Sequence, residues 1–260
     1  MNTVVCRVPV ASMRQQPRHE QELVSQLLFG EAAEVLDRDG EWLRIRCLYD
    51  GYEGWCMRNQ LQPVPERLVQ QQPLQLVHAW AADVGYAGRP MRVPYGSALP
   101  GMQNGVLQWG DLQLQYNGPV LQQGVLPYTA QNIQAIAEPF FHTAYLWGGR
   151  SVYGIDCSGL VQMIFRFLGI VLPRDAAQQA QCGIPVGFLQ EAQCGDLAFF
   201  DNEEGRIVHV GLLLNDAEIV HASGQVRIDP IDHFGIINRD TGERTHRLRL
   251  IRRCGGHSPA

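Results

Sequence analysis

The chain has 260 residues, enough to bury a full core in one large domain or in two to three small ones. Asp and Glu outnumber Lys and Arg by 26 to 21, and the net charge of −5 argues against a nucleic-acid binder, which carries a basic surplus. No apolar run approaches the roughly 18 residues of a membrane span.

The N-terminus, Met1-Asn2-Thr3-Val4-Val5-Cys6-Arg7, lacks a charged segment followed by an apolar stretch. A cytoplasmic protein is therefore expected, or a periplasmic or extracellular one if a leader has been removed. Seven cysteines are scattered, odd in number and without Cys-x-x-Cys pairs. That usage suits thiols of a reducing compartment rather than a disulfide framework or a zinc ribbon.

Residues 1–65 read as short strands and turns. Glu41 to Cys47 alternates polar and apolar residues behind an Asp39-Gly40 turn, and Tyr52 to Met57 follows Asp50-Gly51. Such spacing predicts a small β-barrel. Pro63, Pro65 and Gln70-Gln71-Gln72-Pro73 mark a linker. Residues 74–122 predict a second small β unit, carried by Leu107 to Trp109 and Leu112 to Tyr116. No internal repeat relates the two. Gln122 to Thr129 reads as another linker.

From residue 128 to 255 the pattern changes to one α+β domain. A helix is expected over Ile133 to Phe141, interrupted by Pro139. Leu160, Val161, Ile164, Phe167 and Leu168 fall on one helix face, and Gly169 supplies the stop. Strand-like runs follow at Leu197 to Phe200, Ile207 to Leu214, Glu218 to Ala222 and Arg247 to Arg252. Arginines 244, 247, 249, 252 and 253 alternate with Leu248 and Leu250, as on the solvated face of a terminal strand.

Cys157 stands at the start of the Leu160 to Leu168 helix, where unpaired N–H groups and the macrodipole favour a thiolate. His209 and His221 lie in consecutive strand-like runs. A turn centred near residue 215 would place their imidazoles nearly opposite on one sheet face. A Cys–His pair needs an imidazole to accept the thiol proton and a further polar group to orient that ring. His209 is read as the base and His221 as the orienter. The same three residues also offer a zinc ion three ligands and an open fourth position. The lack of a close-spaced ligand pair disfavours that alternative, so neither metal nor cofactor is expected.

Six segments in this order carry a resemblance: Tyr145-Leu146-Trp147-Gly148-Gly149, Asp156-Cys157-Ser158-Gly159-Leu160-Val161, Pro173-Arg174-Asp175, Gly195 to Phe200, Val208-His209-Val210-Gly211 and Val220-His221-Ala222. Over about 125 residues the chain resembles the NlpC family of papain-like cysteine peptidases. The stretch Gly30 to Leu36, then Trp42 to Ile45, then Gly51 to Trp55, resembles a bacterial SH3-like domain. The resemblance implies an α+β papain-like catalytic domain preceded by two small all-β SH3-like barrels. It also implies cleavage of cell-wall peptides between D-glutamate, through its γ-carboxyl, and a diamino acid. Within the family the chain is similar to γ-D-glutamyl-L-diamino-acid endopeptidases of murein-peptide recycling, whose first module walls off one end of the groove. These select short stem peptides with a free N-terminal L-alanine.

Carried over by position, the resemblance makes Cys157 the nucleophile, His209 the base and His221 the orienter. The Tyr145 hydroxyl and the Cys157 backbone N–H would hold the oxyanion. Asp175 would bind the substrate ammonium, with Glu22 and Tyr52 as further contacts. Trp147 would line the groove, and Asp156 and Ser158 would shape it beside the nucleophile. Three alternatives stay open: Asp175 as a helix N-cap, Glu22 and Tyr52 as ordinary module surface, and the whole as a broader peptidoglycan hydrolase or amidase, or a non-catalytic wall-binding protein. Ala176 departs from the Ser or Thr common after this Asp, so a hydroxyl contact is absent or supplied elsewhere. The expected partner is a small murein peptide, with no nucleic acid and no membrane span. No oligomeric state is assigned.

Overall fold

A computed structural model describes residues 2–70 and 73–255 of the chain. Gln71 and Gln72 of the first expected linker lie outside the described residues. The chain forms two compact units, one of residues 1–125 and 147–154, the other of residues 126–146 and 155–260. The 125/126 boundary falls inside the second expected linker.

The first unit begins with β1 (Thr3–Cys6), β2 (Val10–Arg14), β3 (Leu23–Leu28), β4 (Ala32–Asp39), β5 (Trp42–Cys47), β6 (Glu53–Met57) and β7 (Leu61–Pro63). They form one antiparallel sheet in the order β3-β2-β6-β5-β4-β1-β7. The Asp39-Gly40 turn forms where the sequence predicts it: Asp39 pairs with Trp42, and Gly40 adopts φ 55°. A short helix, α1 (Glu66–Val69), occupies part of the expected linker. Beyond it come β8 (Gln75–Val77), β9 (Ala81–Tyr86), β10 (Arg89–Pro94), β11 (Val106–Trp109), β12 (Leu112–Tyr116) and β13 (Val120–Gln122). Among the described residues these make a β10-β9-β12-β11 sheet and a β13-β8 pair.

The two β modules are not strung on a free linker. Val5, Phe29 and Val64 of the first lie in one core with Val77, Leu107 and Trp109 of the second. The Phe29 and Trp109 rings sit 5.0 Å apart, and the Ala98 N–H donates to the Phe29 carbonyl at 2.8 Å. Gly30, at φ 74°, fits because a Cβ there would stand 1.8 Å from the Ala98 oxygen.

Residues 147–154 also pack in this unit, although the sequence assigns them to the catalytic domain. They carry β14 (Arg150–Ser151), and β15 (Gly154–Ile155) spans the return to the second unit. The Arg150 guanidinium bonds the Glu31 carboxylate at 2.9 Å and the Gln26 carbonyl at 2.8 Å, while the Arg150 N–H donates to Gln26 Oε1 at 2.8 Å. Both charged side chains are buried, at 2% and 3% exposure. Such a pair adds little net stability while intact, but removing one partner strands the other.

The second unit opens with α2 (Ala130–Ala137), capped by the Thr129 hydroxyl, and continues into a 3-10 turn containing Pro139. Next come α3 (Cys157–Phe167) and α4 (Ala176–Gln179), then β16 (Ile184–Val186), β17 (Leu197–Asp201), β18 (Ile207–Leu213), β19 (Glu218–Ser223), β20 (Gln225–Asp232), β21 (Gly235–Ile237) and β22 (Arg244–Arg253). Strands β22-β17-β18-β19-β20-β21 pair in sequence, and β21 pairs back to β22. The result is a closed six-stranded antiparallel ring with β16 added on β22. Closure removes sheet edges.

Helix α3 packs on β18 and β19. Sequence periodicity predicts one apolar face, but all eleven of its residues are buried, Gln162 and Arg166 included. Its C-terminus is a Schellman turn: the Gly169 N–H bonds the Arg166 carbonyl, the Ile170 N–H bonds the Phe165 carbonyl, and Gly169 takes φ 75°. Among the described residues no helix is long and apolar enough to cross a membrane.

Arg150→Ala is expected to destabilise the protein by about 3–5 kcal/mol, because the Glu31 carboxylate would stay buried without the guanidinium that balances its charge. Thermal melts check this. A melting temperature within about 2 °C of wild type would contradict the role given to the pair.

Candidate active site

Helix α3 begins at Cys157. Asp156 is its N-cap and accepts from the Gly159 N–H at 2.7 Å. Arg174 grips the same carboxylate with two nitrogens, at 3.0 and 2.6 Å, and bonds the Ser158 hydroxyl at 2.8 Å. Gln179 spans the Ser158 and Pro173 carbonyls at 3.1 and 2.8 Å. Asp156 and Ser158 thus hold the turn that presents Cys157.

The thiol itself is 6% exposed. Burial pushes it up to about 11, and the Asp156 charge adds to the rise. Hydrogen bonds from the Val210 and Ser158 backbone N–H groups, and the nearby Arg174, pull the other way. Against the thiolate-favouring effect expected of the helix N-terminus, burial acts in the opposite sense and favours the neutral thiol.

His209 lies beside Val210 on β18, and His221 lies on β19. The registers are Gly211 to His221, Leu212 to Val220 and Leu213 to Ile219. The hairpin is thus centred on residue 216, not 215, and the expected direct opposition is replaced by a diagonal. Because the shift is two residues, both imidazoles stay on one face. His209 Nε2 lies 3.0 Å from His221 Nδ1. Gly211 stands directly opposite His221, and a Cβ there would meet Ile219 at 2.6 Å.

The chain of bonds continues. His221 Nε2 lies 3.0 Å from Asp229 Oδ2 on β20. Asp229 is 1% exposed and also receives the Arg227 guanidinium at 2.9 Å and the Arg239 N–H at 3.1 Å. Its register repeats the diagonal: Arg227 pairs with His221, and Asp229 stands two residues on. Burial raises the Asp229 carboxyl, but the bonds from His221, Arg227 and Arg239 outweigh it and hold the group below the usual carboxylate range.

An ionised carboxylate only accepts, so His221 donates from Nε2 and keeps its lone pair on Nδ1. That lone pair accepts from His209 Nε2–H. The His209 lone pair is then on Nδ1, free to take a thiol proton. The order holds only while both rings are neutral. Burial, with His246 and His221 nearby, lowers His209 well below 6.5, and burial lowers His221 despite Asp229.

His246 on β22 stacks on His209, with centroids 4.2 Å apart and planes at 27°. Burial and the neighbouring His221 bring it down to about 4. Tyr145 is half-buried. Burial, with Cys157 and Asp156 close by, lifts its phenol to about 12, so the hydroxyl keeps the proton it would donate.

Cys157, His209, His221, Tyr145, Asp156, Ser158 and Asp175 all belong to the second unit. Asp175 precedes α4, and its side chain makes no capping bond to that helix. Glu22, Tyr52 and Trp147 belong to the first unit, where Trp147 Nε1 donates to Glu22 Oε1 at 2.7 Å. Tyr52 packs at the margin of the first module's core. Sequence reasoning missed Asp229, His246 and the role of Arg174. The alternation Val226, Ile228 was a usable strand signal for β20, masked by Pro230.

In the substrate-free protein, alkylation of Cys157 by iodoacetamide should keep accelerating above pH 9; a plateau by pH 7 would contradict the neutral thiol. The acid limb of kcat/KM should lie below pH 6.5, since a base with a lowered pKa stays unprotonated there. Asp229→Asn should reduce kcat by at least about a hundredfold, because an amide can donate to His221 and reverse the tautomers. Steady-state kinetics on the folded variant checks it.

Residues 142–245 match the NlpC/P60 family, and residues 13–61 match the bacterial dipeptidyl-peptidase Sh3 domain. The chain is 32% identical over 215 residues to a γ-D-glutamyl-L-lysine dipeptidyl-peptidase of Bacillus subtilis, spanning 76% of this chain and 71% of that one. It is 27% identical over 259 residues to dipeptidyl-peptidase 6 of Lysinibacillus sphaericus, spanning 89% and 92%. The crystal structure of an NlpC/P60 family protein from Bacillus cereus has the same fold, with a TM-score of 0.80 at 20% identity over 97% of this chain and 99% of that one. A family match over residues 142–245 and a relative of that identity over most of both lengths lead to one assignment: the chain belongs to the NlpC/P60 family, with an SH3-like domain ahead of its catalytic domain.

Proposed function

We propose that this chain is a cysteine peptidase that hydrolyses the bond between the γ-carboxyl of D-glutamate and a diamino acid in short murein stem peptides. The observation that supports the reading is the Asp229–His221–His209 relay, whose His209 directly precedes Val210, the residue whose backbone N–H bonds the Cys157 sulfur. The relatives named for γ-D-glutamyl-L-lysine cleavage supply the bond.

His209 Nδ1 takes the thiol proton as the sulfur attacks the γ-carbonyl, so no standing thiolate is required. The Tyr145 hydroxyl and the Cys157 backbone N–H receive the developing oxyanion. Losing one such donor typically costs about 10²–10³ in rate. Collapse of the tetrahedral adduct expels the diamino-acid amine, which leaves with the proton from His209. A water deprotonated by the same nitrogen then hydrolyses the thioester and restores the thiol.

We assign Asp175 to the ammonium of a free N-terminal L-alanine, and Glu22, Tyr52 and Trp147 to further substrate contacts. Asp156 and Ser158 serve the groove by holding the Cys157 turn. Residues 74–122 are taken as a second SH3-like module, after a first over 1–65 and before a catalytic domain over 128–255. The cysteine usage supports cytoplasmic recycling of imported wall fragments.

L-Ala-γ-D-Glu-L-Lys and its meso-diaminopimelate counterpart should both be tried as substrates. Wild type should release L-Ala-γ-D-Glu, and Cys157→Ala should not; equal turnover by the two would end the proposal. Acetylating the alanine amine should lower kcat/KM by about tenfold or more if Asp175 pairs with it, the scale of one hydrogen bond to a charged group. Undiminished cleavage would remove Asp175 from that role. Cleavage of intact sacculi without preference for a free amine would favour the broader hydrolase.

A further inference from the structure

The relay accounts for His209 and His221 but gives His246 nothing to do. One ring nitrogen from each of the three lies within 4.8 Å of the other two. His209 and His221 are buried and His246 half-buried, on three different strands of the closed ring. His209 Nε2 and His221 Nδ1 are already 3.0 Å apart, and the His246 ring lies 4.2 Å from His209 between centroids. His246 Nδ1 contacts the Thr245 hydroxyl at 2.8 Å, which leaves Nε2 to reach its neighbours.

We propose that His209, His221 and His246 form a binding site for a divalent transition-metal ion of the Zn²⁺ class, and that its occupancy switches the peptidase off. Three imidazoles suit Zn²⁺, with water in the fourth position. Zn–N bonds of about 2.0–2.1 Å set tetrahedral nitrogens roughly 3.3 Å apart. The 3.0 Å pair lies close to that value and the third nitrogen within 4.8 Å of both, so the set is completed by a shift of the His246 ring. Asp229 on His221 Nε2 supplies the carboxylate that commonly orients a metal-ligating histidine.

The ion would act through the proton order. In the relay His209 carries its proton on Nε2. A metal taking the Nε2 lone pair requires that proton to move to Nδ1, and the ring stays neutral. No bond to Cys157 forms or breaks. Nδ1–H can no longer accept from the thiol, so the base is lost while the sulfur stays uncoordinated. Inhibition of cysteine enzymes by a metal held on the thiolate is the opposing arrangement, and it uses Cys157 and dispenses with His246.

Zn²⁺ affinity of the full chain, measured by competition with a chromogenic chelator, separates the two. Cys157→Ala should bind one Zn²⁺ per chain with an affinity within about threefold of wild type. His246→Phe should bind about tenfold more weakly or worse, the scale of losing one element of a metal site. Co²⁺ bound to wild type should lack a sulfur charge-transfer band. Loss of binding in Cys157→Ala, or unchanged binding in His246→Phe, would overturn the site. His246→Gln, with thermal melts on every variant, serves if the Phe variant does not fold. Binding is read without substrate, so the result stands apart from the choice of scissile bond. On active enzyme, Zn²⁺ should inhibit reversibly against a chelator, with iodoacetamide still labelling Cys157 in the inhibited state; protection of the thiol would count against the proposal.

Discussion

A carboxylate cannot donate a hydrogen bond. Placed on Asp229, that restriction fixes His221, then His209, and so leaves the His209 lone pair on Nδ1. His209 can take a proton only from its neutral form, and burial favours the neutral form of both rings. The same burial holds Cys157 as a thiol. One condition therefore acts on both partners, and under the proposed function it favours a general-base route in which charge develops as the carbonyl is attacked. This is where oriented donors count most, since they stabilise charge formed in the transition state rather than charge present beforehand.

The scaffold around this relay is stiff for identifiable reasons. Each hydrogen bond of the relay is a diagonal across an antiparallel pair, and a one-residue slip would turn a side chain to the other face. Pairing of β21 back to β22 closes the strand order and leaves less freedom for such a slip. On the helix side, Asp156 caps α3 while Arg174 holds both Asp156 and Ser158. The three residues are bound to one another, so the sulfur is presented by a buried polar cluster rather than by a loose loop. Side chains flanking a nucleophile often serve its placement.

In the first unit, two β modules share one core through Val5, Phe29 and Val64, with Gly30 admitting the Ala98 carbonyl at close range. The Trp147 to Gly154 segment is anchored in the same unit by Arg150 on Glu31 and by Trp147 on Glu22. A stretch only two residues beyond Tyr145 in the chain thus takes its conformation from contacts with residues more than a hundred positions earlier. Burial of the Arg150–Glu31 pair makes that attachment sensitive to loss of either partner.

Local chemistry was legible from the chain alone. Asp39-Gly40 announced a hairpin, Gly169 announced the end of α3, alternating residues announced β5, β11 and β12, and apolar runs announced β18 and β19, because turns, caps and pleats are read over a few residues. The order of motifs around Cys157, His209 and His221 pointed to the family for the same reason. Tertiary structure decided the rest. The hairpin centre moved by one residue, since Asn215 bonds the Ala217 N–H within the turn, and opposition became a diagonal. Asp229 and His246 entered the site from β20 and β22, where neither proline-broken alternation nor an arginine-rich run distinguishes a buried partner from a solvated face. The protonation of the thiol followed from depth of burial, a property of packing that no neighbour in the sequence specifies.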